Sequence, residues 1–395
     1  MNSSETITQI QSLLRGWTGR SDELKILELL RNCPDADLDT VLKQLNVRRL
    51  LRNLHNRVGG PHYRSQLVQL LTEQRIAQLS LETRVELVWA MQRGSTRTTF
   101  EQGIRNIFVA STGDELRELR NGINLSDSYR DLARLIFKDI DNQAIRDEIL
   151  NHIQSNSVKI DQVKVLSDID DTVFARLHDK RYPGKTRYPG VLAFFAALNH
   201  SLGKESDDAN ITFVTARPGL FGGIVSAWTR RTLAKAGIRR PTILTGSLFA
   251  LRSHDSMARR KIRNIRQYHE VFPEYGLVFV GDSGQGDVEV GKLMLQEFPD
   301  SVRSVMIHDI NETSLNHPSH TEILGIRSFD TYIAAATLAW KEGLITRQQA
   351  LEVSSVAMKE LRNIKVMLPE QKKSRLRDYE QDLKALQADI IPGDT

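Results

Sequence analysis

The sequence is almost free of cysteine, because its 395 residues contain a single one, Cys33. No internal disulfide can therefore form, and a zinc site built from several thiolates is excluded. A lone cysteine of this kind is usually a small buried hydrophobic residue, and we predict that role for Cys33.

Long apolar runs are also missing. No stretch of about 18 consecutive apolar residues occurs, so we expect no transmembrane segment. The first residues, MNSSETITQIQS, are polar and lack the apolar core of a signal peptide. We therefore expect a cytoplasmic protein, although an effector exported without a cleaved signal would have the same features.

Positive charge is modest in total but unevenly distributed. The formal net charge at pH 7 is +5, yet residues 228–266 contain eleven Lys or Arg and one acid, Asp255. Such a tract attracts anions, but its sign does not distinguish a nucleic acid, an anionic membrane surface and a phosphorylated substrate from one another.

Residues 1–157 carry helical patterns and almost no strand patterns. Apolar residues recur near a 3.6-residue period over 24–54, 84–110 and 129–153, with breaks at Gly and Pro residues. This predicts an all-helical domain of about six to eight helices, whose role the sequence does not indicate.

The pattern changes near residue 160, where short β-branched runs begin to alternate with helical stretches. The predicted strands are 163–166, 211–214, 242–244, 277–280 and 302–307. The helices predicted between them are 190–198, 220–236, 257–268 and 288–296. This alternation predicts an α/β domain over 158–330 with a doubly wound, mostly parallel sheet. Residues 331–395 return to helical patterns and include a capping box, Thr346-x-x-Gln349.

Carboxylates and a threonine follow three of the predicted strands. Asp168 and Asp170 come after the first strand in VKVLSDIDDTV, Thr215 follows the second, and Asp282 and Asp287 follow the fourth in LVFVGDSGQGD. The carboxyl ends of parallel strands meet at one edge of the sheet, where ligands bind. Carboxylates gathered there repel one another, and a hard divalent cation such as Mg²⁺ would offset that repulsion.

These residue types indicate phosphoryl transfer. A carboxylate beside a metal ion can attack phosphorus and form an aspartyl-phosphate. A second carboxylate in reach can protonate the leaving oxygen and then deprotonate the water that hydrolyses the intermediate. The hydroxyl of Thr215 and a lysine can bind the phosphate oxygens.

The order of the motifs resembles that of the haloacid dehalogenase superfamily. Its four motifs appear as Asp168-x-Asp170-x-Thr172, Thr215 after a strand, a lysine, and Gly281-Asp282-x-x-x-x-Asp287. More narrowly, SDIDDTV and GDSGQGD resemble the actin-patch-type phosphatidate phosphatases, and TAR followed by LTGSLFAL is similar to the lipin-type enzymes. The resemblance covers roughly residues 160–330 and does not extend to the helical parts.

The resemblance implies a role for each residue of the first two motifs. Asp168 would be the nucleophile and first metal ligand. Asp170 would be the general acid and base, and its backbone carbonyl would also reach the metal. Thr172 would hold the loop and contribute to substrate binding, and Thr215 would bind the phosphate through its hydroxyl.

The last two motifs complete the implied site. Lys261, in ARRKIRNI, is the best match to the lysine of the third motif. Asp282 would be the other metal carboxylate, and Asp287 would orient a metal-bound water or the lysine. The implied metal set is Asp168, Asp170, Asp282 and Asp287.

One motif departs from the actin-patch type, which usually has Ser-x-Ser-Pro where this chain has Thr215-Ala216-Arg217-Pro218. The superfamily accepts either Thr or Ser, so the departure concerns the identity of the substrate and leaves catalysis in place. Arg217 is a candidate for contact with a substrate head group, and a structural ion pair is the alternative.

The predicted site is open, because only 17 residues, 173–189, separate the first motif from the next predicted helix. An open site suits a phosphate presented on a surface, and the predicted reaction is Mg²⁺-dependent hydrolysis of phosphatidate to diacylglycerol. The alternatives are a phosphatase acting on phosphoproteins or polynucleotide ends, with the basic tract binding the polymer, and a non-catalytic lipid-binding or interaction protein. The predicted helix 220–236 carries Phe221 and Trp228 beside Arg230 and Arg231. One interpretation packs its apolar residues on the sheet, and the other predicts peripheral contact with an anionic membrane surface.

Overall fold

The structure, a computed structural model, describes residues 2–92, 97–124, 131–176, 178–199, 211–218, 233, 242–246, 254–284, 286–310, 322–323 and 325–390. The chain divides into two compact units. The first comprises Met1–Val158 and Gln267–Pro273, and the second comprises Lys159–Arg266 and Glu274–Thr395. No helix in the described ranges is long and apolar enough to cross a membrane.

The first unit is helical, as predicted. Its helices are α1 (Ser3–Leu13), α2 (Arg20–Arg31), α3 (Asp35–Gln44), α4 (Val47–Asn53), α5 (Tyr63–Gln69), α6 (Leu81–Met91), α7 (Thr98–Val109), α8 (Gly113–Asn124), α9 (Leu132–Arg134) and α10 (Gln143–Asn156). Single π-helical turns, Leu70–Gln74 and Leu135–Asp139, continue α5 and α9. The described residues of this unit hold more helices than the six to eight predicted, because α1, α5 and α8 lie outside the ranges 24–54, 84–110 and 129–153 in which the periodic pattern was found.

A buried carboxylate organises part of this unit. Glu23 is fully buried, and its two carboxylate oxygens accept hydrogen bonds from both terminal nitrogens of Arg57 at 2.7 Å. Nδ1 of His55 lies 2.7 Å from the same carboxylate. Burial of a charge is costly unless it is paired, and these contacts offset the cost. Cys33 is buried in this unit, as expected for a small apolar residue.

The second unit is built on a seven-stranded sheet in the order β3-β2-β1-β4-β5-β7-β6. The strands are β1 (Val163–Ser167), β2 (Ile211–Pro218), β3 (Thr242–Gly246), β4 (Gly276–Asp282), β5 (Val302–His308), β6 (Glu322–Ile323) and β7 (Ile326–Phe329). All pairs are parallel except the short β6, which is antiparallel to β7. The five predicted strands and the doubly wound α/β class are confirmed.

Helices accompany this sheet. They are α11 (Val191–Asn199), α12 (His254–Val271), α13 (Asp287–Glu297), α14 (Tyr332–Lys341), α15 (Arg347–Arg362) and α16 (Pro369–Ile390). Thr346 and Gln349 form the predicted capping box at the start of α15. The predicted helix 220–236, with Phe221, Trp228, Arg230 and Arg231, lies outside the described residues except for Leu233.

The core of the second unit extends from the sheet into the C-terminal helices. Apolar residues of β1, β2 and β4 form one buried cluster with residues of α11, α14, α15 and α16. Strand order reverses direction at β1 and β4, which are neighbours at the centre of the sheet. In doubly wound sheets this switch point opens a crevice beyond the carboxyl ends of the strands, and a ligand is expected there.

Candidate active site

Three buried carboxylates meet at the switch point. Asp168 directly follows β1, Asp282 ends β4 and Asp287 begins α13. One carboxylate oxygen from each lies within 4.8 Å of the other two. The amide of Asp168 donates to the carbonyl of Val280 at 3.0 Å, which fixes the first carboxylate against β4. The structure thus brings together three of the four residues predicted to hold a metal ion.

Lys261 supplies positive charge to this cluster. Its Nζ donates to Oδ1 of Asp168 at 2.8 Å and to Oδ1 of Asp287 at 2.6 Å. Lys261 belongs to the buried stripe of α12, which includes Ala258, Ile262, Ile265 and Tyr268. This spacing marks one helix face, and Arg259 and Arg263 are exposed outside it. Lys261 is therefore the lysine that the structure places at the site.

Two glycines shape the turn between β4 and α13. Gly286 precedes α13 with a φ of 83°, a left-handed conformation that favours glycine. A Cβ on Gly281 would lie 2.6 Å from both Cβ and Oδ2 of Asp287, so only glycine allows this close approach. The glycines of GDSGQGD therefore let Asp282 and Asp287 face the same point.

The carboxylates carry more negative charge than one lysine can balance. Burial raises the pKa of Asp168 to about 7, although Lys261 opposes the rise. Burial, together with repulsion from Asp287 and Asp168, raises the pKa of Asp282 to about 9. Burial alone would lower the pKa of Lys261, but Asp168 and Asp287 outweigh it and raise that pKa above its usual value. Without another cation, Asp282 would hold a proton at neutral pH.

The donor set fits a hard divalent cation. Oδ2 of Asp282 is buried and has no hydrogen-bond partner among the described residues, while its Oδ1 accepts from the amide of Gly284 at 2.6 Å. A buried carboxylate oxygen left without a partner is costly, and a bound cation would satisfy it. Mg²⁺ prefers carboxylate oxygens and retains several waters. Asp168, Asp282 and Asp287 are the residues that would hold such an ion.

Asp170 lies beside this cluster and is not one of the three carboxylates that meet. Its Oδ1 accepts from Nη1 of Arg176 at 3.2 Å, and its side chain is 11% exposed. From the sequence, the side-chain carboxylate of Asp170 was predicted to act as general acid and base, and its backbone carbonyl to reach the metal. The position of the carboxylate beside the cluster is compatible with both roles, which stay predictions.

Thr172 belongs to the loop that follows β1 and is fully buried. Its carbonyl accepts from the hydroxyl of Tyr332 at 2.7 Å, and its own Oγ1 has no hydrogen-bond partner. Because the side chain is shielded from solvent, the structure favours the loop-holding role of Thr172 over the contact with substrate that was also predicted.

Thr215 and Arg217 lie on β2, at the edge where the carboxylates meet. Ser167 of β1 pairs with Phe213, so Thr215 follows two residues beyond the last β1–β2 pair. The side chains of both residues lie outside the part of the chain that the structure describes. The phosphate-binding role of Thr215 and the head-group contact of Arg217 therefore stay predictions.

Asp171 is a residue of this loop to which the sequence analysis gave no role. It is fully buried and has a φ of 53°, which Asp tolerates better than most residues. Its Oδ1 accepts from the amide of Arg176 at 2.7 Å, and its Oδ2 accepts from the amide of His178 at 2.9 Å. Asp171 thus fixes the start of residues 173–189, which we call the flap. The available signal was the third aspartate of DIDDT.

A buried ionic network holds the flap and was also missed. Nη2 of Arg181 donates to Oδ2 of Asp179 at 2.9 Å, and Nη1 of Arg181 donates to Asp330. Arg375 on α16 is only 3% exposed, and its Nε donates to the hydroxyl of Tyr182 at 3.1 Å. These last two residues are 193 positions apart in the sequence, so no local pattern could have linked them.

The described site lies within a range that a known family matches. Residues 163–309 match the family described as phosphatidate phosphatase APP1, catalytic domain. This range begins at β1, ends directly after β5 and contains every predicted site residue. Comparisons with curated proteins and with solved structures found no match. The predicted resemblance to actin-patch-type phosphatidate phosphatases is confirmed for residues 163–309. This segment is a catalytic domain of the phosphatidate phosphatase type, a class of phosphoric monoester hydrolases.

Proposed function

We propose that this protein hydrolyses phosphatidate to diacylglycerol and phosphate, that it requires Mg²⁺, and that Asp168 is phosphorylated during turnover. The observation that carries the proposal is the pair of hydrogen bonds from Lys261 to Asp168 and Asp287, beside the unpartnered Oδ2 of Asp282. This arrangement lies within the residues that match the phosphatidate phosphatase catalytic domain.

Asp168 is assigned the role of nucleophile. Lys261 occupies its Oδ1, so Oδ2 is assigned the attack on phosphorus. The bond from Oδ2 to phosphorus forms while the bond from phosphorus to the diacylglycerol oxygen breaks, and Asp170 donates its proton to that oxygen. The ammonium of Lys261 lies next to the attacking carboxylate and stabilises the negative charge that gathers there.

Asp170 is assigned the second proton transfer as well. It removes a proton from a water molecule, whose oxygen attacks phosphorus as the bond from phosphorus to Asp168 breaks. Phosphate leaves, the carboxylate of Asp168 is restored, and Asp170 is again protonated for the next cycle. Arg176, at 3.2 Å from Oδ1 of Asp170, orients this carboxylate.

Mg²⁺, when held by Asp168, Asp282 and Asp287, would neutralise charge on the phosphate and on the three carboxylates. The protein itself keeps these carboxylates in place through two hydrogen bonds. The backbone amide of Asp168 donates to the carbonyl of Val280, and the backbone amide of Asp282 donates to Oδ2 of Asp287 at 3.3 Å. The donor of each bond is a backbone amide at a strand end, so the strand ends fix part of the carboxylate arrangement and Lys261 fixes the rest.

The short connection after β1 supports a substrate presented on a surface. The described residues between β1 and α11 form turns and isolated β-bridges, such as Phe174 with Arg187, and not a lid of helices or strands. A connection without such a lid favours a phosphate presented on a lipid head group over a small enclosed substrate. The cytoplasmic location stays a prediction.

The proposal is tested by phosphate release from phosphatidate in detergent micelles with Mg²⁺. Lysophosphatidate, phosphopeptides and 3′-phosphorylated DNA complete the panel, with Asp168→Asn as the inactive variant and Asp300→Asn, an exposed aspartate, as its matched control. We expect release from phosphatidate by the wild type and by Asp300→Asn only. Release from a phosphopeptide or a DNA end alone would reject the lipid substrate, and activity in Asp168→Asn would reject the mechanism.

A further inference from the structure

The loop between α15 and α16 exposes two apolar side chains. Val366 is 77% exposed and Leu368 is 64% exposed, whereas Met367 between them is 7% exposed and belongs to the core. Val366 and Leu368 are the two most exposed large apolar residues in the described part of the second unit. We call this pair the apolar tip.

Positive charge surrounds the apolar tip. Within residues 359–377 the exposed basic side chains are Lys359, Arg362, Lys365, Lys373 and Arg377, and the one exposed acid is Glu370. Lys372 is used differently, because its Nζ donates to the carbonyls of Arg362 at 2.7 Å and Ile364 at 3.2 Å. These two bonds fasten the start of α16 to the end of α15 and fix the shape of the loop.

A shallow groove continues from the tip along α16. It is lined by Pro369, Lys372, Lys373, Leu376, Arg377 and Glu380. Their spacing of three and four residues places them on one helix face. The neighbouring face of α16 is buried and carries Arg375, Tyr379 and Leu386. We call the exposed face the basic strip, since three of its six residues are Lys or Arg.

The same part of α16 contacts the flap. Nε2 of Gln371 donates to the carbonyl of Lys180 at 2.9 Å, and Arg375 binds the hydroxyl of Tyr182. Both flap residues follow the loop that carries Asp168 and Asp170. A binding partner that contacts the apolar tip and the basic strip therefore lies next to the flap, which follows the catalytic loop.

We propose that the apolar tip and the basic strip form a docking surface for an anionic lipid bilayer. Val366 and Leu368 enter the head-group region, and Lys373 and Arg377 bind lipid phosphates. Apolar residues flanked by Lys and Arg bind membrane interfaces in this way. Two side chains are too small an apolar area for a protein interface of about 800 Å² per partner, which favours the bilayer. The inference rests on the proposed function only in that a phosphatidate substrate lies in a bilayer.

The test is co-sedimentation of the full chain with vesicles of phosphatidylcholine, with and without phosphatidylserine. We expect binding only to the phosphatidylserine vesicles, and weaker binding as salt rises. The double variant Val366→Asp/Leu368→Asp should bind at least about tenfold more weakly. Lys373→Glu and Arg377→Glu should each weaken binding roughly fivefold or more.

Matched controls separate the surface from a general effect of charge. Val58→Asp replaces a fully exposed valine of the first unit, and Lys25→Glu reverses an exposed charge on α2. Both should bind vesicles as the wild type does. All variants should hydrolyse a small soluble phosphate ester at the wild-type rate, because none of the substituted residues lies in the carboxylate cluster.

Besides a wild type that binds no vesicles, three outcomes would overturn the inference. They are equal binding of the wild type to neutral and anionic vesicles, wild-type binding by the tip variant, and a tip variant that changes oligomeric state in light scattering. The third outcome would assign the surface to a second copy of the chain. Because phosphatidylserine is not the proposed substrate, vesicle binding without phosphatidate hydrolysis would reject the proposed function alone, and hydrolysis in micelles without vesicle binding would reject the docking surface alone.

Discussion

Nη1 of Arg375 on α16 donates to Oδ2 of Asp330 at 2.8 Å, and Asp330 is the residue that directly follows β7. The other carboxylate oxygen of Asp330 accepts from Arg181 of the flap. One partly buried carboxylate, 22% exposed, thus joins the C-terminal helix to the segment that follows the catalytic loop. The C-terminal helices are therefore part of the unit that carries the site, although the family match ends at residue 309.

Replacement of Asp330 by Asn should destabilise the folded chain by about 3 kcal/mol at neutral pH, the lower end of the range for breaking a buried ion pair, because the buried Arg375 and the partly exposed Arg181 lose their charged partner. Burial raises the pKa of Asp330, but Arg375 and Arg181 outweigh it and hold that pKa below its usual value. Its stabilisation is thus present above the unfolded pKa of about 3.9 and is lost as pH falls through the folded pKa. Urea unfolding of Asp330→Asn should show a smaller loss of stability on acidification than the wild type, and an equal loss would contradict the prediction.

The cluster of Asp168, Asp282 and Asp287 should make folding stability depend on pH in the opposite direction to Asp330. The pKa values of Asp168, about 7, and Asp282, about 9, lie above the unfolded value, so the folded state retains more protons at intermediate pH. Stability in chelator should therefore fall as pH rises from about 4 to about 9, by at most about 1.4 kcal/mol per pH unit for each group. Saturating Mg²⁺ should raise the melting temperature and flatten this dependence, because it binds only the folded state. A melting temperature that responds equally to pH with and without Mg²⁺ would speak against a metal at these carboxylates.

Asp282→Asn separates the charge of this residue from its shape. The amide oxygen can still accept from the amide of Gly284, while the repulsion from Asp168 and Asp287 is removed. In chelator above about pH 8, this variant should melt at a higher temperature than the wild type and gain little from Mg²⁺. It should release no phosphate. An unchanged Mg²⁺-dependent shift in melting temperature would show that Asp282 does not hold the ion.

The sequence predicted those parts of the site that follow from local pattern. Strand ends placed Asp168 and Asp282 at one edge of a parallel sheet. Lys261 was predicted only from its match to the lysine of the third motif, and the structure adds that it is the basic residue on the buried face of α12. Long-range pairing left no such signal, since Asp330 and Arg375 meet only after the C-terminal helices have packed. In the first unit the prediction missed α1, α5 and α8. Helix α5 has seven residues, too few to show a period, whereas α8 carries Leu116, Leu119 and Ile123 at helical spacing and could have been predicted from the sequence.

Lys261→Met should lower kcat by about 10²–10³-fold for a small soluble ester, because the variant loses the cation beside the attacking carboxylate. Three carboxylates would then be buried without the cation that the described residues supply to them, so the melting temperature in chelator should fall and Mg²⁺ should recover part of it. Arg263→Met is the matched control, since Arg263 is exposed on the same helix. If kcat of Lys261→Met stays within about threefold of the wild type, Lys261 has a purely structural role.

Gly281→Ala tests whether the close approach of β4 to Asp287 matters for the site. The added Cβ would lie 2.6 Å from Asp287, so Asp287 must move away from Lys261 and from the amide of Asp282. Overpacking of this kind costs about 1–3 kcal/mol, and we expect a lower kcat and a higher Mg²⁺ requirement as well. Gly184→Ala in the flap is the matched control, because its Cβ would meet nothing within 4 Å. Mg²⁺ titrations of activity on both variants provide the measurement. A Gly281→Ala variant that loses stability but keeps the wild-type Mg²⁺ requirement would show that the position of Asp287 does not control metal binding.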